Sequence, residues 1–129
     1  MTEKQVVTTD KAPKAVGPYS PAIVANGFVF CSGQVAIDPA TNTLIDGDVE
    51  AQAHRVLQNL QAVLQAAGSD LRRAVKMTVF LADIADFKRV NGVYAQYFPD
   101  APPARSAFQV AALPLGALVE IECIALTGE

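Results

Sequence analysis

Few residues of this 129-residue chain have both the type and the setting for chemistry, and they fall on loops and strand ends. Arg105 follows Pro102-Pro103-Ala104 at the start of an expected strand. A stiffened backbone there presents a guanidinium whose fork matches a small carboxylate in two hydrogen bonds. The plainer alternative is a surface ion pair of little energetic weight. Glu120 and Glu122 alternate within an apolar strand, where Leu118, Ile124 and Leu126 fall on their face. A carboxyl in such a setting loses hydration, its pKa rises, and it becomes a proton acceptor or donor near neutrality. The pattern does not choose between the two glutamates.

Four further positions are candidates for lining a site. Asn91 lies on the apolar side of an expected helix, four residues after Phe87 and three before Tyr94. A buried amide there needs partners, and the backbone of a neighbouring loop is the simplest source. Tyr19, in GPYSP, either closes a cleft with its phenol or pins its own loop. Ser32-Gly33-Gln34 ends a strand, and the glycine either lets a ligand approach the backbone closely or only turns the chain. His54 is the one histidine, set beside an apolar helical stripe, where a half-buried or solvated side chain is the ordinary reading. With no second histidine, no HExxH and no cysteine cluster, no metal site is expected. Neither GxGxxG nor GxxxxGK occurs, so no nucleotide cofactor is indicated.

The elements that must position these residues read as follows. A short strand is predicted at residues 5–9, then a fixed proline-rich loop at 11–22, then strands at 22–26 and 28–31. Asn26-Gly27 suits the positive φ values of a tight hairpin turn between them. A polar turn spans 38–43. From Val49 to Ala67 apolar residues recur every three or four positions, which predicts a helix capped by Asp48 and ended by Gly68. A strand at 74–82, a helix at 86–98 stopped by Pro99, and strands at 106–112 and 118–127 complete the order β-β-β-α-β-α-β-β. Two helices cover one face of such a sheet, yet strands 28–31, 74–82 and 118–127 carry apolar side chains on both faces. The uncovered face is therefore expected to pack against copies of the same chain.

Composition narrows the classes. The length suits one domain over residues 1–129. Hydrophobic residues make up 51% and charged residues 18%, rich for a small monomer and consistent with apolar surface between subunits. A net charge of -3 supplies no basic field for phosphates, which weighs against nucleic-acid binding. Residues 1–10 lack the apolar run of a signal peptide, and no segment approaches the roughly 18 apolar residues of a membrane span. Cys31 and Cys123 lie far apart, without CxxC spacing, among strand residues typical of buried thiols. Together these features point to a reduced, cytoplasmic setting.

Six segments in order, KAPKAVGPYSPA at 11–22, SGQ at 32–34, NLQAVLQAAG at 59–68, VNGVYAQYF at 90–98, PPARSAF at 102–108 and LVEIECIAL at 118–126, resemble the RidA/YjgF family over nearly the whole chain. The resemblance implies an α+β, chorismate-mutase-like fold of the bacillus type, with a mixed sheet and two helices on one face. It also implies a homotrimer around a central barrel of sheets, with ligand clefts at subunit boundaries. The implied activity is hydrolysis of reactive 2-enamino and 2-imino acids, such as 2-iminobutanoate and 2-iminopropanoate, to 2-keto acids and ammonia, without a cofactor.

In proteins of this kind the arginine of the PAR segment, here Arg105, binds the ligand carboxylate. The glutamate of EIE, here Glu120, positions or activates water, so the resemblance separates it from Glu122. Tyr19, Ser32, Gly33 and Asn91 match positions that line or support the cleft. Many relatives carry cysteine two residues after the arginine, where this chain has Ala107. Hydrolysis survives that change if only the backbone carbonyl of Ala107 meets the ligand. Rival activities are a non-catalytic 2-keto-acid-binding trimer, deamination of a larger enamine such as 2-aminomuconate, and the ribonuclease activity ascribed to some relatives.

Overall fold

A computed structural model describes residues 3–128. In chain order the elements are β1 (Gln5–Val7), β2 (Ala22–Ala25), β3 (Phe28–Gln34), β4 (Ile37–Asp38), β5 (Thr43–Leu44), α1 (Val49–Ala66), β6 (Ala74–Leu81), α2 (Phe87–Tyr97), β7 (Ala104–Gln109) and β8 (Val119–Leu126). The main sheet has the order β1-β2-β3-β8-β6-β7. All its pairs are antiparallel except β6 with β7, which are parallel because α2 carries the chain across between them. The molecule is thus the expected α+β arrangement, a mixed sheet with both helices on one face.

Local chemistry explains the elements. Asn26 and Gly27 both take positive φ, 54° and 83°, which closes the β2–β3 hairpin with the twist its strands require. The Asp48 carboxylate accepts a hydrogen bond from the Ala51 amide at 2.9 Å and caps α1. The stripe of α1 from Val49 through Leu64 is fully buried against the sheet. Two polar residues sit within that stripe. Gln52 accepts from the Leu118 amide at 2.9 Å, and Asn59 donates to the carbonyls of Val35 at 3.3 Å and Ile37 at 2.9 Å. Each stapled segment, 35–37 and the approach to β8, is thereby fixed to α1. Such bonds satisfy backbone groups that burial would otherwise leave unpaired.

Several boundaries differ from the sequence-based expectation. The polar turn at 38–43 contains a hairpin of two two-residue strands, β4 and β5, turned by Asn42 at φ 59°. Strands this short leave no periodicity to read. β3 runs on to Gln34 through a register shift between Cys31 and Gln34. β7 begins at Ala104 rather than residue 106, so Arg105 is a paired strand residue opposite Met77. Leu118 precedes β8 and packs on the core, leaving Ile124 and Leu126 to share the glutamates' face.

Residues alternate between the two faces of the sheet. Met77, Val79, Val119, Ile121 and Cys123 face the helices and are buried. The other face carries Phe30, Phe108 and Leu126, which are 43%, 45% and 39% exposed, large apolar side chains that no helix covers. Cys31 and Cys123 are free thiols paired directly across β3 and β8. Their mutual hydrogen bond and burial push the Cys31 thiol up, so it stays protonated and unreactive near neutrality. His54 is half-buried, its Nδ1 2.8 Å from the Tyr97 hydroxyl, a satisfied structural histidine. No described helix is long and apolar enough to cross a membrane.

Candidate active site

The structure gathers the sequence-derived candidates into two groups. The first is built on β7 and α2. Arg105 points to the helix side of the sheet, since its neighbours in register, Met77 and Cys123, are core residues. Its Nη1 donates to Asn91 Oδ1 at 2.8 Å, and its Cζ lies 4.7 Å from the Tyr94 ring centroid and 5.6 Å from that of Phe87. Phe87, Asn91 and Tyr94 are spaced four and three apart, so one face of α2 supplies both the stacking surfaces and the hydrogen bond. Asn91 was expected to find its partner in a loop backbone; its partner is the guanidinium itself. Among the described residues the ion pairs are those of Arg89 with Asp48, Glu50 and Asp86, and none involves Arg105. A stacked, oriented guanidinium without a protein carboxylate is prepared for an external one.

Burial raises the Tyr94 phenol to about 12, and its buried hydroxyl has no hydrogen-bond partner among the described residues. Its contribution is the ring beneath Arg105. The Ala107 side chain is half-buried against the core, so its methyl faces the helices.

The second group is built on β3, β8 and the 11–22 loop. Tyr19, Ser32, Gly33 and Glu120 line one groove of about 680 Å³. Ser32 is fixed by its hydroxyl, which donates to the Ser20 carbonyl at 2.7 Å, and by its amide, which donates to Pro21 at 3.0 Å. The Glu120 side chain lies directly over Gly33: a Cβ there would stand 2.9 Å from Glu120 Cδ and 3.1 Å from Cγ. Desolvation by burial, followed by the nearby charge of Glu122, raises the Glu120 pKa above the ordinary carboxylate value. Glu122 lies on the same face and is exposed, so only Glu120 combines burial with the contact over Gly33.

Within one chain the two groups do not meet. Glu120 pairs with Phe80, and Phe80 with Phe108, on the face opposite that of Arg105. The Arg105 guanidinium and the desolvated Glu120 carboxyl therefore occupy opposite sides of one sheet. Sequence reasoning passed over Tyr94 and Phe87 as ligands of the guanidinium, and over Gln52 and Asn59 as staples. The i, i+4, i+7 spacing of Phe87, Asn91 and Tyr94 was the available signal.

Comparison with known proteins follows this geometry. The family model described as Endoribonuclease L-PSP matches residues 9–127. Reactive Intermediate Deaminase A, chloroplastic, of Arabidopsis thaliana is 54% identical over 95% of this chain, which spans 66% of that relative. The 2-iminobutanoate/2-iminopropanoate deaminase of Bos taurus is 50% identical over 97% of this chain and 91% of its own length. Among solved structures, E. coli TdcF with bound serine matches with a TM-score of 0.91 at 39% identity, covering 96% of this chain and 99% of that one. With residues 9–127 matched and relatives at this level of identity, the chain belongs to the Endoribonuclease L-PSP family, the RidA/YjgF family whose motifs it carries.

Proposed function

We propose that this protein is a hydrolytic deaminase of small 2-imino acids, giving 2-keto acids and ammonia, with its two half-sites joined between adjacent copies of a homotrimer. The observation that carries the reading is the Arg105 guanidinium, stacked on Tyr94, aligned by Asn91 and paired with no acid among the described residues. The names of the Arabidopsis and bovine relatives, and the serine bound to the E. coli relative, support a small amino-acid-derived carboxylate as its ligand. Opposed half-sites fit a head-to-tail ring, in which the Arg105 side of one protomer meets the Glu120 groove of the next. The uncovered apolar face supplies surface for such a ring.

The chemistry follows from those two groups. An enamine first tautomerises to the imine. Arg105 holds the carboxylate and so fixes C2 of the imine near Glu120. Glu120 takes a proton from water as the oxygen bonds to C2, forming a carbinolamine. Backbone groups around Gly33 and Arg105 hold the nitrogen or the developing charge. Glu120 returns the proton taken from water to nitrogen; it then takes the carbinolamine hydroxyl proton and passes it to nitrogen as the C2–O bond becomes the carbonyl and the C–N bond breaks, so ammonia and the 2-keto acid leave and Glu120 is again a carboxylate. Tyr19, Ser32 and the Ala107 backbone complete the wall. An RNA substrate is disfavoured because the groove is lined by Glu120 and Glu122 and the chain's net charge of -3 supplies no basic field for phosphates.

The test supplies imines from threonine or serine dehydratase in the presence of semicarbazide. Faster keto-acid release with less semicarbazone supports the deaminase. No acceleration, with keto-acid binding intact, identifies a binding protein instead. A second expectation concerns pH. Glu120 acts as the carboxylate, so activity falls in acid through its raised pKa. Glu122→Gln removes the charge that contributes to that rise, and the acid limb of the kcat/KM profile is expected to move to lower pH. An unmoved limb would separate the profile from Glu120.

A further inference from the structure

We propose that Leu115 is a specificity-determining residue that receives the substrate's side chain, and that this protein favours 2-imino acids with leucine-sized aliphatic side chains over the alanine-derived imine. The inference rests on the deaminase reading and extends it to substrate class.

Leu115 sits in the 3-10 turn Pro114–Gly116 with φ 60° and ψ 17°, a left-handed backbone that a non-glycine residue adopts at an energetic cost. Its side chain is 66% exposed, so packing within the chain does not offset that cost. The next residue, Gly116, takes φ 70° without a side chain, which shows the composition such a turn ordinarily uses. A strained backbone that holds an apolar side chain out in the open is the arrangement of a contact made to something else.

The groove identifies what that is. Leu115 lines the same cavity of about 680 Å³ as Glu120, together with Val16, Val35, Ile37 and Pro114. Val16 is 74% exposed and also lacks a packing role within the chain. C2 of a 2-imino acid, set beside Glu120 and its water, carries three groups to place. The carboxylate belongs to Arg105 and the nitrogen to backbone groups around Gly33 and Arg105, which leaves the side chain for the aliphatic wall. Glu120 and Glu122 repel an acidic side chain there, and no polar partner on the Leu115 turn rewards a short one.

The experiment compares kcat/KM for imines generated from leucine and from alanine by a flavin amino-acid oxidase with catalase present. In the unmodified protein the leucine-derived imine is expected to be preferred by about tenfold or more, the scale of discrimination by a few apolar contacts. Leu115→Gly suits the left-handed backbone, so melting temperature is expected to hold or rise. In that variant the leucine-derived imine is expected to lose about tenfold, and the alanine-derived imine to stay within about twofold. Equal losses on both imines, no loss on either, or an initial preference for alanine overturns the inference while leaving the deaminase in place. A protein that hydrolyses neither imine overturns the deaminase reading and this inference with it.

Discussion

Arg105→Ala is expected to lower kcat/KM for imine hydrolysis by at least about a hundredfold while the protein stays folded. Two decades correspond to about 2.7 kcal/mol, within the range of a lost charge-assisted, bidentate contact. Because the substrate carboxylate is held in both the ground and transition states, most of the loss should appear in KM rather than kcat. The affinity for pyruvate or 2-oxobutanoate, measured by calorimetry, should fall in parallel. Stability is a smaller matter. The stack on Tyr94 and Phe87 contributes about 0.5–2 kcal/mol, and the half-buried Asn91 left behind can turn to water. Arg105→Lys keeps the charge but loses the planar stack and the second donor, and should fall between the two. A folded, assembled Arg105→Ala protein with undiminished turnover would remove the assignment.

How much of this arrangement was legible in the sequence depends on the range of the interaction. The Asn26-Gly27 hairpin, the Asp48 cap and the α1 stripe are set by neighbours within a few residues, and each appears where the pattern places it. The Arg105 support is also a local pattern on α2, 14 residues from Arg105, but its meaning depends on β7 lying parallel to β6, which sets Arg105 opposite Met77, 28 residues earlier in the chain. Glu120 and Glu122 differ in setting because, beside the register shift between Cys31 and Gln34, Gly33 lies beneath the Glu120 carboxyl. No periodicity within β8 carries that information. The stapling amides of Gln52 and Asn59 escaped notice for a related reason, since their partners lie 66 and 22–24 residues away.

The same register makes Gly33→Ala the second substitution with a large expected effect, although glycine has no functional group. The backbone of Gly33 does not occupy the left-handed region, so alanine meets no conformational strain there. The atoms nearest to the added methyl all belong to the Glu120 side chain, with Cδ at 2.9 Å and Cγ at 3.1 Å. A flexible side chain yields more readily than the sheet, so the carboxylate moves and the fold remains. Loss of a positioned proton acceptor costs about 10² to 10⁴ in rate, and Gly33→Ala should approach Glu120→Gln in kcat. Stability should not fall, because alanine in a strand is less costly than glycine by about 0.5–1 kcal/mol. Glu120→Gln should itself be stabilising at neutral pH. The folded state raises the Glu120 pKa, so its contribution to stability is complete below the ordinary carboxylate pKa and is lost as pH rises through the raised value. Both substitutions act through one carboxylate, so the double variant should be no slower than the slower single one. Additive losses, or a Gly33→Ala protein of full activity, would show that Glu120 works from somewhere other than above Gly33.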